Sequence, residues 1–214
     1  MTRRDDLAAN LAAVQKRIHR PDVTLIVVTK TYPVSDVEIL KDLGVENFGE
    51  NRSEEGAIKA AAVPATWHFQ GGIQSRKIKE IVTWAQAIHS LDRAEHAQKL
   101  SERSERPLDV FLQLSLDGDP SRGGVIESEL SSLASFVITQ PKLSLVGLMC
   151  VPPVDANPVE AFAKVYSVHQ RFLHEFPNAQ SLSTGMSADF EVAIDHGATH
   201  IRVGSSILGS RTHR

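Results

Sequence analysis

Short apolar runs alternate with amphipathic segments along most of the chain, behind a first amphipathic segment at the N-terminus. In that first segment, apolar residues recur at helical spacing, at Leu7, Leu11, Val14 and Ile18, which predicts an α-helix. The next apolar run, residues 23–29, is uninterrupted and rich in β-branched residues, which is typical of a parallel strand buried on both faces. The pattern therefore predicts strand–helix units arranged around a parallel sheet.

The strand–helix unit recurs eight times. We predict strands at residues 23–29, 45–49, 66–70, 85–91, 108–114, 143–149, 181–183 and 200–203. Eight units favour a (β/α)8 barrel, the TIM-barrel fold of the α/β class, with an additional N-terminal helix. A doubly wound open sheet is the alternative, although it usually contains fewer strands. Such barrels typically contain about 250 residues, so the 214 residues here predict one domain, residues 1–214, with short loops.

Capping residues predict where several helices begin. Three helices are expected to start at Ser35 with Glu38, at Asn51 with Glu54 and at Asp92 with Glu95, because such pairs satisfy free backbone N–H groups in the first turn. A fourth has Asn157 as its cap, with Pro158 and Glu160 behind it. Gly44 is expected to end the first of these helices, and a later helix is predicted from Ser187 to about His196.

Composition and charge narrow the class of protein. Hydrophobic residues make up 42% of the chain and charged residues 23%, which excludes collagen-like, disordered and disulfide-rich proteins. The net charge of −3 lacks the basic excess of a nucleic-acid-binding protein. Since Cys150 is the single cysteine, no internal disulfide forms, which suits a cytoplasmic location. No signal-peptide pattern or membrane-spanning apolar run is found, so neither nucleic acid nor membrane is expected as a partner.

Lys30 is the first candidate for chemistry, because it directly follows the most apolar predicted strand. In (β/α)8 barrels, reactive groups gather where the strands end. Lys30 is therefore either a solvated strand end or an amine held over the barrel mouth. An amine in the second setting is desolvated and close to other cations, which lowers its pKa and allows it to attack carbonyl groups.

Small polar residues follow the last two predicted strands. Ser183–Ser187 and Gly204–Ser206 lie where such barrels commonly bind phosphate through backbone N–H groups, and Ser187 and Ser205 add hydroxyl donors. The alternative is two ordinary turns. Arg202 points either into the barrel mouth or outward to a helix, and an inward arginine supplies a fixed cation. A lysine, a phosphate cradle and an arginine together favour an aldehyde that carries a phosphate, either pyridoxal 5′-phosphate (PLP) or a sugar phosphate.

Six motifs in this order resemble those of a known family, the YggS/PROSC family of PLP-binding homeostasis proteins, which looks like the N-terminal barrel of bacterial alanine racemase. They span nearly the whole chain, and they are specific jointly rather than singly. The motifs are Val28-Thr29-Lys30-Thr31, Phe48-Gly49-Glu50-Asn51, Trp67-His68-Phe69-Gln70-Gly71, Gly147-Leu148-Met149, Ser183-Thr184-Gly185-Met186-Ser187-Ala188-Asp189 and Arg202-Val203-Gly204-Ser205.

The resemblance implies a role for each candidate residue. Lys30 forms a Schiff base with PLP, and Arg202 lies against the pyridine nitrogen. Asn51 lines the same mouth, and His68 and Met149 are further candidates for it. The phosphate is held by Ser187, Gly204 and Ser205. The nine histidines predict no metal site, since Gly197 separates His196 from His200 and no paired-ligand motif is present.

The chemistry that an arginine at the pyridine nitrogen permits is limited. It keeps that nitrogen unprotonated, so the ring is a poorer electron sink and transamination and decarboxylation are disfavoured. Racemisation needs a second base, which alanine racemase takes from the C-terminal domain of the partner subunit, and the eight units leave no room for that domain here. The two tyrosines are Tyr32, whose direction is open, and Tyr166, which is expected to pack in a helix.

Three functions remain as hypotheses. The leading one is a PLP carrier in intracellular vitamin B6 homeostasis, without catalytic turnover. On this hypothesis the protein binds PLP and other B6 vitamers and transfers PLP transiently to PLP-dependent apo-enzymes. The second is a PLP-dependent amino-acid racemase-like enzyme, and the third is a Schiff-base aldolase acting on a sugar phosphate. A cytoplasmic monomer is expected in the first case.

Overall fold

Eight parallel strands pair in chain order and close into a barrel, because β8 pairs with β1 as well as with β7. The computed structural model describes residues 2–209; Met1 and residues 210–214, the ends of the predicted domain, lie outside the described residues. The predicted (β/α)8 barrel is thus confirmed. The strands are β1 Thr24–Val28, β2 Asn47–Glu50, β3 Thr66–Phe69, β4 Ala87–Leu91, β5 Leu108–Leu114, β6 Leu143–Cys150, β7 Ser181–Met186 and β8 His200–Val203.

Helices surround the barrel, and the predicted N-terminal helix is present. It buries Leu7, Leu11 and Val14 and contacts its neighbours α2 and α9. No helix in residues 2–209 is both long enough and apolar enough to cross a bilayer. The helices are α1 Arg3–Arg17, α2 Val34–Asp42, α3 Ser53–Ala62, α4 Ile78–Trp84 (after a short 3-10 turn, Ser75–Lys77), α5 Ala94–Arg103, α6 Glu127–Ile138, α7 Pro158–Glu175, α8 Phe190–Asp195 and α9 Ser205–Leu208.

The predicted helix caps are correct only for α7. There the Asn157 side chain accepts hydrogen bonds from the backbone N–H groups of Val159 and Glu160. The cap pairs predicted at Ser35, Asn51 and Asp92 are wrong: α2, α3 and α5 are preceded by Pro33, Arg52 and Arg93, none of which makes a side-chain cap bond. For Asp92 the physical reason is competition from a loop, since its carboxylate accepts from the Gly124 N–H instead. The C-terminal glycine of α2 is as predicted, with Gly44 at φ +90°.

The seventh strand is longer, and the helix after it shorter, than the pattern predicts. β7 runs to Met186, which lies opposite Arg202 of β8, and α8 begins only at Phe190. The Asp189 carboxylate accepts a hydrogen bond of 2.6 Å from the Met186 N–H, and the Asp189 N–H donates to the Met186 carbonyl, so the two residues close a turn. Residues 187–189 therefore form a loop at the barrel mouth rather than the first turn of a helix.

Gly147 marks the closest approach between β6 and β7. A Cβ atom at this position lies 1.7 Å from the backbone oxygen of Ser181, its partner in the parallel pairing. Any side chain at position 147 therefore forces the two strands apart.

We predict that Gly147→Ala destabilises the protein by about 3 kcal/mol or more, since backbone atoms cannot move aside as a flexible side chain does. Urea unfolding followed by circular dichroism measures this change. The matched control is Gly72→Ala, because a Cβ at Gly72 meets nothing within 4 Å and this variant is expected to stay within about 1 kcal/mol of wild type. Equal stabilities of the two variants contradict the account.

Candidate functional site

A cavity of about 320 Å3 lies at the carboxyl ends of the strands, and the residues predicted to form the site line it together. Lys30, Asn51, Ser187, Arg202, Gly204 and Ser205 are all in its wall, and so are Tyr32 and Met149. They come from the ends of β1, β2, β6, β7 and β8 and the loops behind them. The cavity is completed by Val28, Gln70, Val151, Met186 and Ala188.

Lys30 is held in place by hydrogen bonds to the residues on either side of it. The backbone carbonyl of Thr29 accepts from Lys59 Nζ at 2.7 Å, and the backbone N–H of Thr31 donates to Glu55 Oε2 at 2.8 Å. Thr31 has φ +71°, a left-handed conformation that a β-branched residue adopts only when its surroundings impose it. The turn that carries Lys30 is therefore fixed by side chains of α3.

A buried ion pair lies directly behind this turn. Lys59 Nζ lies 2.5 Å from Glu50 Oε1, and the Thr29 hydroxyl donates to the same oxygen at 2.6 Å. Both charged side chains are nearly inaccessible to solvent, and Glu50 Oε2 has no hydrogen-bond partner among residues 2–209. Burial raises the pKa of Glu50, and the hydrogen bonds from Lys59 and Thr29 oppose that rise.

The two small polar loops at the end of β7 and β8 are bonded to each other. The Ser187 hydroxyl oxygen accepts from the backbone N–H groups of Gly204, at 3.2 Å, and of Ser206, at 3.4 Å. The Ser206 hydroxyl donates back to the Ser187 carbonyl. Two backbone N–H groups thus converge on one oxygen atom at the cavity wall, which is the arrangement that favours an oxygen-rich anion.

Arg202 points inward, which decides between the two orientations left open by the sequence. Its Nη1 donates to the backbone oxygen of Ser183 at 2.8 Å and to the Ser183 hydroxyl at 2.7 Å, and its Nη2 donates to the Cys150 carbonyl at 3.2 Å. Burial lowers the pKa of Arg202 to about 10, so the guanidinium stays cationic at neutral pH. The cavity therefore has a fixed positive charge in its floor.

The two tyrosines differ in location: Tyr32 lines the cavity, whereas Tyr166 lies on the surface of α7. The Tyr32 hydroxyl lies in the cavity wall and donates to the Gly209 carbonyl at 2.6 Å. Tyr166 is 42% exposed, so it is not a core residue; its ring covers the backbone at Gly197.

His68 does not line the mouth, contrary to the suggestion from the motif. It lies in the barrel interior, where its ring nitrogens contact His89 Nε2 at 2.9 Å and Asn47 Oδ1 at 3.1 Å. The physical reason is its place in β3: the side chain of a strand residue two positions before the loop points into the barrel, below the strand ends. Gln70, after the end of β3, reaches the cavity instead.

Lys59, which supports the turn of Lys30 from behind, is the residue near the site most clearly missed by the sequence reasoning. A signal exists in the pattern, because Ser53, Gly56 and Lys59 recur every three residues and together form the buried face of α3. A lysine on the buried face of a helix requires a partner for its charge. The partner itself, Glu50, is identified only by the folded structure.

His196 and His200 contact oxygen atoms of the protein and do not form a metal site with each other. His196 Nδ1 lies 2.7 Å from the Val192 carbonyl and His200 Nδ1 lies 2.8 Å from the Thr199 hydroxyl. Within residues 2–209, no group of three or more His, Cys, Asp and Glu side chains is arranged to hold a metal ion.

Fold and site together define a class of protein: a (β/α)8 barrel whose mouth combines a lysine, an arginine and two serine-rich loops. Comparison with known proteins places it more closely. The family model described as "Alanine racemase, N-terminal domain" matches residues 3–212. A pyridoxal phosphate homeostasis protein of Corynebacterium glutamicum is 40% identical over 96% of this chain and 99% of its own length, and one of Mycobacterium leprae is 38% identical over 97% and 90%. The chain belongs to the alanine racemase N-terminal domain family and, within it, to the pyridoxal phosphate homeostasis proteins.

A solved structure agrees with this assignment. PipY of Synechococcus elongatus, determined with PLP bound, superposes with a TM-score of 0.87 at 29% identity, covering 95% of this chain and all of PipY. Alanine racemase of Clostridium difficile shares the fold, with a TM-score of 0.79 at 16% identity, and the chain spans 58% of its length. The family resemblance read from the six motifs is therefore confirmed.

We predict that Lys59→Met lowers the free energy of unfolding by about 3–5 kcal/mol at neutral pH, because it leaves the Glu50 carboxylate buried without its cation. Loss of Lys59 removes a group that lowers the pKa of Glu50, so the folded-state pKa rises farther above the unfolded value. The folded state then binds the proton more tightly, and the deficit shrinks as the pH falls through that raised pKa. Urea unfolding at neutral and acidic pH measures both effects.

The matched control is Lys41→Met. Lys41 pairs with Glu46, whose side chain is 66% exposed, and such surface pairs contribute about 1 kcal/mol or less. Two results contradict the account of the buried pair. One is a decrease in the free energy of unfolding of Lys59→Met that is no larger than that of the control, and the other is a decrease that stays the same at acidic pH.

Proposed function

We propose that this chain binds pyridoxal 5′-phosphate in the cavity at the barrel mouth and acts as a PLP carrier in vitamin B6 homeostasis. The observation that carries the proposal is that all six residues expected to contact PLP line one cavity. Two comparisons support the proposal. The homologues at 38–40% identity are named pyridoxal phosphate homeostasis proteins, and the PipY structure contains bound PLP.

The chemistry of the cavity fits the chemical groups of PLP. An aldehyde needs an amine, which Lys30 supplies. A phosphate needs converging N–H and hydroxyl donors, which Ser187, Gly204 and Ser205 supply. A pyridine nitrogen accepts a hydrogen bond, and Arg202 at the cavity floor is a donor that cannot accept. Each group of the ligand thus has a partner of suitable type.

Different residues of the cavity are proposed to bind different groups of PLP. Lys30 holds PLP covalently, as a Schiff base, and the loops of Ser187 and Ser205 hold the phosphate end. Arg202, a cation at neutral pH, keeps the pyridine nitrogen unprotonated. Bound PLP supplies an aldehyde carbon and an electron-withdrawing ring, and an unprotonated ring withdraws electrons weakly, which suits storage better than turnover.

The position of Tyr32 supports a carrier over a racemase. Racemisation requires a second base across the ligand from the lysine. The Tyr32 hydroxyl, in the cavity wall, donates to the Gly209 carbonyl, so it is engaged as a donor rather than poised as a base.

We further propose that the carrier acts in the cytoplasm as a monomer, binds other B6 vitamers as well as PLP, and passes PLP transiently to PLP-dependent apo-enzymes. The place of the cavity at the ends of the strands supports exchange of the ligand, and a chain with a single cysteine suits a compartment without disulfides.

We predict that the wild-type protein incubated with PLP becomes yellow, and that borohydride bleaches it by fixing the ligand to Lys30. Lys30→Ala is expected to stay colourless and to gain no mass after reduction, because no amine reaches the aldehyde. Absorbance spectra and mass spectrometry of the intact protein measure both. Lys77→Ala, which alters a surface lysine, is the control and is expected to behave as wild type. A wild-type protein whose absorbance and mass do not change after PLP and borohydride are added refutes the proposal.

We predict that the PLP-loaded protein, incubated with L-amino acids in deuterated water, incorporates no deuterium at Cα at a rate typical of enzymes, roughly 1–1000 per second. The reason is the proposed unprotonated pyridine ring, which is a poor sink for the electrons that cleavage of the Cα–H bond releases. Proton NMR of the amino acids measures the exchange, with an alanine racemase as positive control. Incorporation at such a rate identifies an enzyme and defeats the carrier hypothesis.

A further inference from the structure

A row of hydrogen-bonded side chains crosses the barrel interior and ends at Arg202. We name Asn47, His68, His89, Ser183 and Arg202 the interior network. Its contacts are Asn47 Oδ1 to His68 Nε2 (3.1 Å), His68 Nδ1 to His89 Nε2 (2.9 Å), His89 Nδ1 to Ser183 Oγ (2.9 Å) and Ser183 Oγ to Arg202 Nη1 (2.7 Å). Four of its members are the third residues of β3, β4, β7 and β8, and all four are buried.

The Asn47 end of the interior network sets one direction for the hydrogen bonds between its side chains. Asn47 Oδ1 can only accept, so His68 carries its hydrogen on Nε2. Burial lowers the pKa of His68 to about 3 and that of His89 well below its ordinary value, so both rings are neutral and hold one hydrogen each. His68 Nδ1 therefore accepts from His89 Nε2–H, and His89 Nδ1 accepts from the Ser183 hydroxyl.

The Arg202 end is compatible with the same direction. Arg202 has no acceptor atom, so the Ser183 oxygen must accept from its guanidinium. The Ser183 hydrogen is then directed away from Arg202, toward His89. The ring of His89 is fixed by stacking on Phe111, with centroids 4.2 Å apart and planes inclined by 16°.

This order matters because Arg202 is a buried cation whose hydrogen bonds within residues 2–209 all go to neutral groups, while the Asp189 carboxylate acts on it only through a longer-range Coulomb attraction. The neutral groups are the Ser183 and Cys150 carbonyl oxygens and the Ser183 hydroxyl. A buried charge must be compensated by hydrogen bonds and oriented dipoles when no opposite charge pairs with it. A hydroxyl can rotate its hydrogen toward the guanidinium and lose that function, and His89 prevents the rotation by accepting this hydrogen.

We propose that Asn47, His68, His89 and Ser183 position the guanidinium of Arg202 at the cavity floor, through hydrogen bonds of a single direction that turn every acceptor toward its charge. The four are positioning residues, since none of them lines the cavity. Their effect on PLP rests on the proposed function, whereas the direction of the hydrogen bonds does not.

The first experiment tests the direction without any ligand. Protein labelled with nitrogen-15 at histidine is studied by NMR at neutral pH, and the signals of His68 and His89 are assigned by their loss in His68→Gln and His89→Gln. Both rings are expected as neutral Nε2–H tautomers. An Nδ1–H tautomer or a doubly protonated ring at either position overturns the proposal.

The second experiment tests the effect on binding with a matched pair of variants. Glutamine at position 89 can accept from Ser183 through its amide oxygen and donate to His68 through its nitrogen, whereas leucine can do neither. His89→Leu is expected to raise the PLP dissociation constant about tenfold, the order of one hydrogen bond to a charged group, and to shift the absorbance of bound PLP. His89→Gln is expected to retain most of the wild-type affinity and spectrum.

The control for loss of a buried histidine elsewhere is His169→Gln. His169 is buried on α7 and contacts the Ala179 carbonyl, so its loss affects stability and leaves PLP binding unchanged. Equal weakening in all three variants, or none in His89→Leu, overturns the positioning role. A wild type with the expected tautomers that binds no PLP refutes the proposed function and leaves the hydrogen-bond direction standing.

Discussion

The pairing of β8 with β1 is the constraint on which the site depends. Four register pairs, from Thr24 with His200 to Val27 with Val203, close the sheet. Closure brings the end of the first strand beside the end of the last, so that Lys30 and Gly204 share one cavity wall although they lie at opposite ends of the chain. An open sheet of the same strands leaves these residues on distant edges, and the proposed binding of PLP needs both.

Two cations near the cavity are kept in place by different means. Lys59, behind the turn of Lys30, is paired with the carboxylate of Glu50. Arg202, in the cavity floor, is surrounded by carbonyl and hydroxyl oxygens. A carboxylate beside Arg202 would neutralise the charge that the site presents to a ligand, whereas neutral dipoles stabilise the cation and leave its charge available. The contrast fits a structural role for Lys59 and a binding role for Arg202.

The sequence predicted the barrel, the N-terminal helix and the set of residues around the mouth because each depends on local patterns. Uninterrupted apolar runs identify buried parallel strands, and a residue just after such a run must lie at the mouth. The predictions failed where a side chain had two competing partners. Asn51 and Asp92 have the chemistry of helix caps, yet Asn51 lies in the cavity wall and Asp92 binds the Gly124 N–H. Local spacing cannot rank a cap against a loop contact formed across the barrel.

Residue types and their order along the chain were sufficient to predict the family and the fold, and to select Lys30, Ser187 and Arg202 as candidates for a PLP site. Folding settled the questions of direction: that Arg202 points inward, that Tyr32 donates to a carbonyl, that His68 lies beneath the mouth and that Lys59 meets Glu50. The physical reason is that strand periodicity specifies on which face of a strand a side chain lies. Which partner it reaches there depends on the register between strands distant in sequence, and barrel closure alone sets that register.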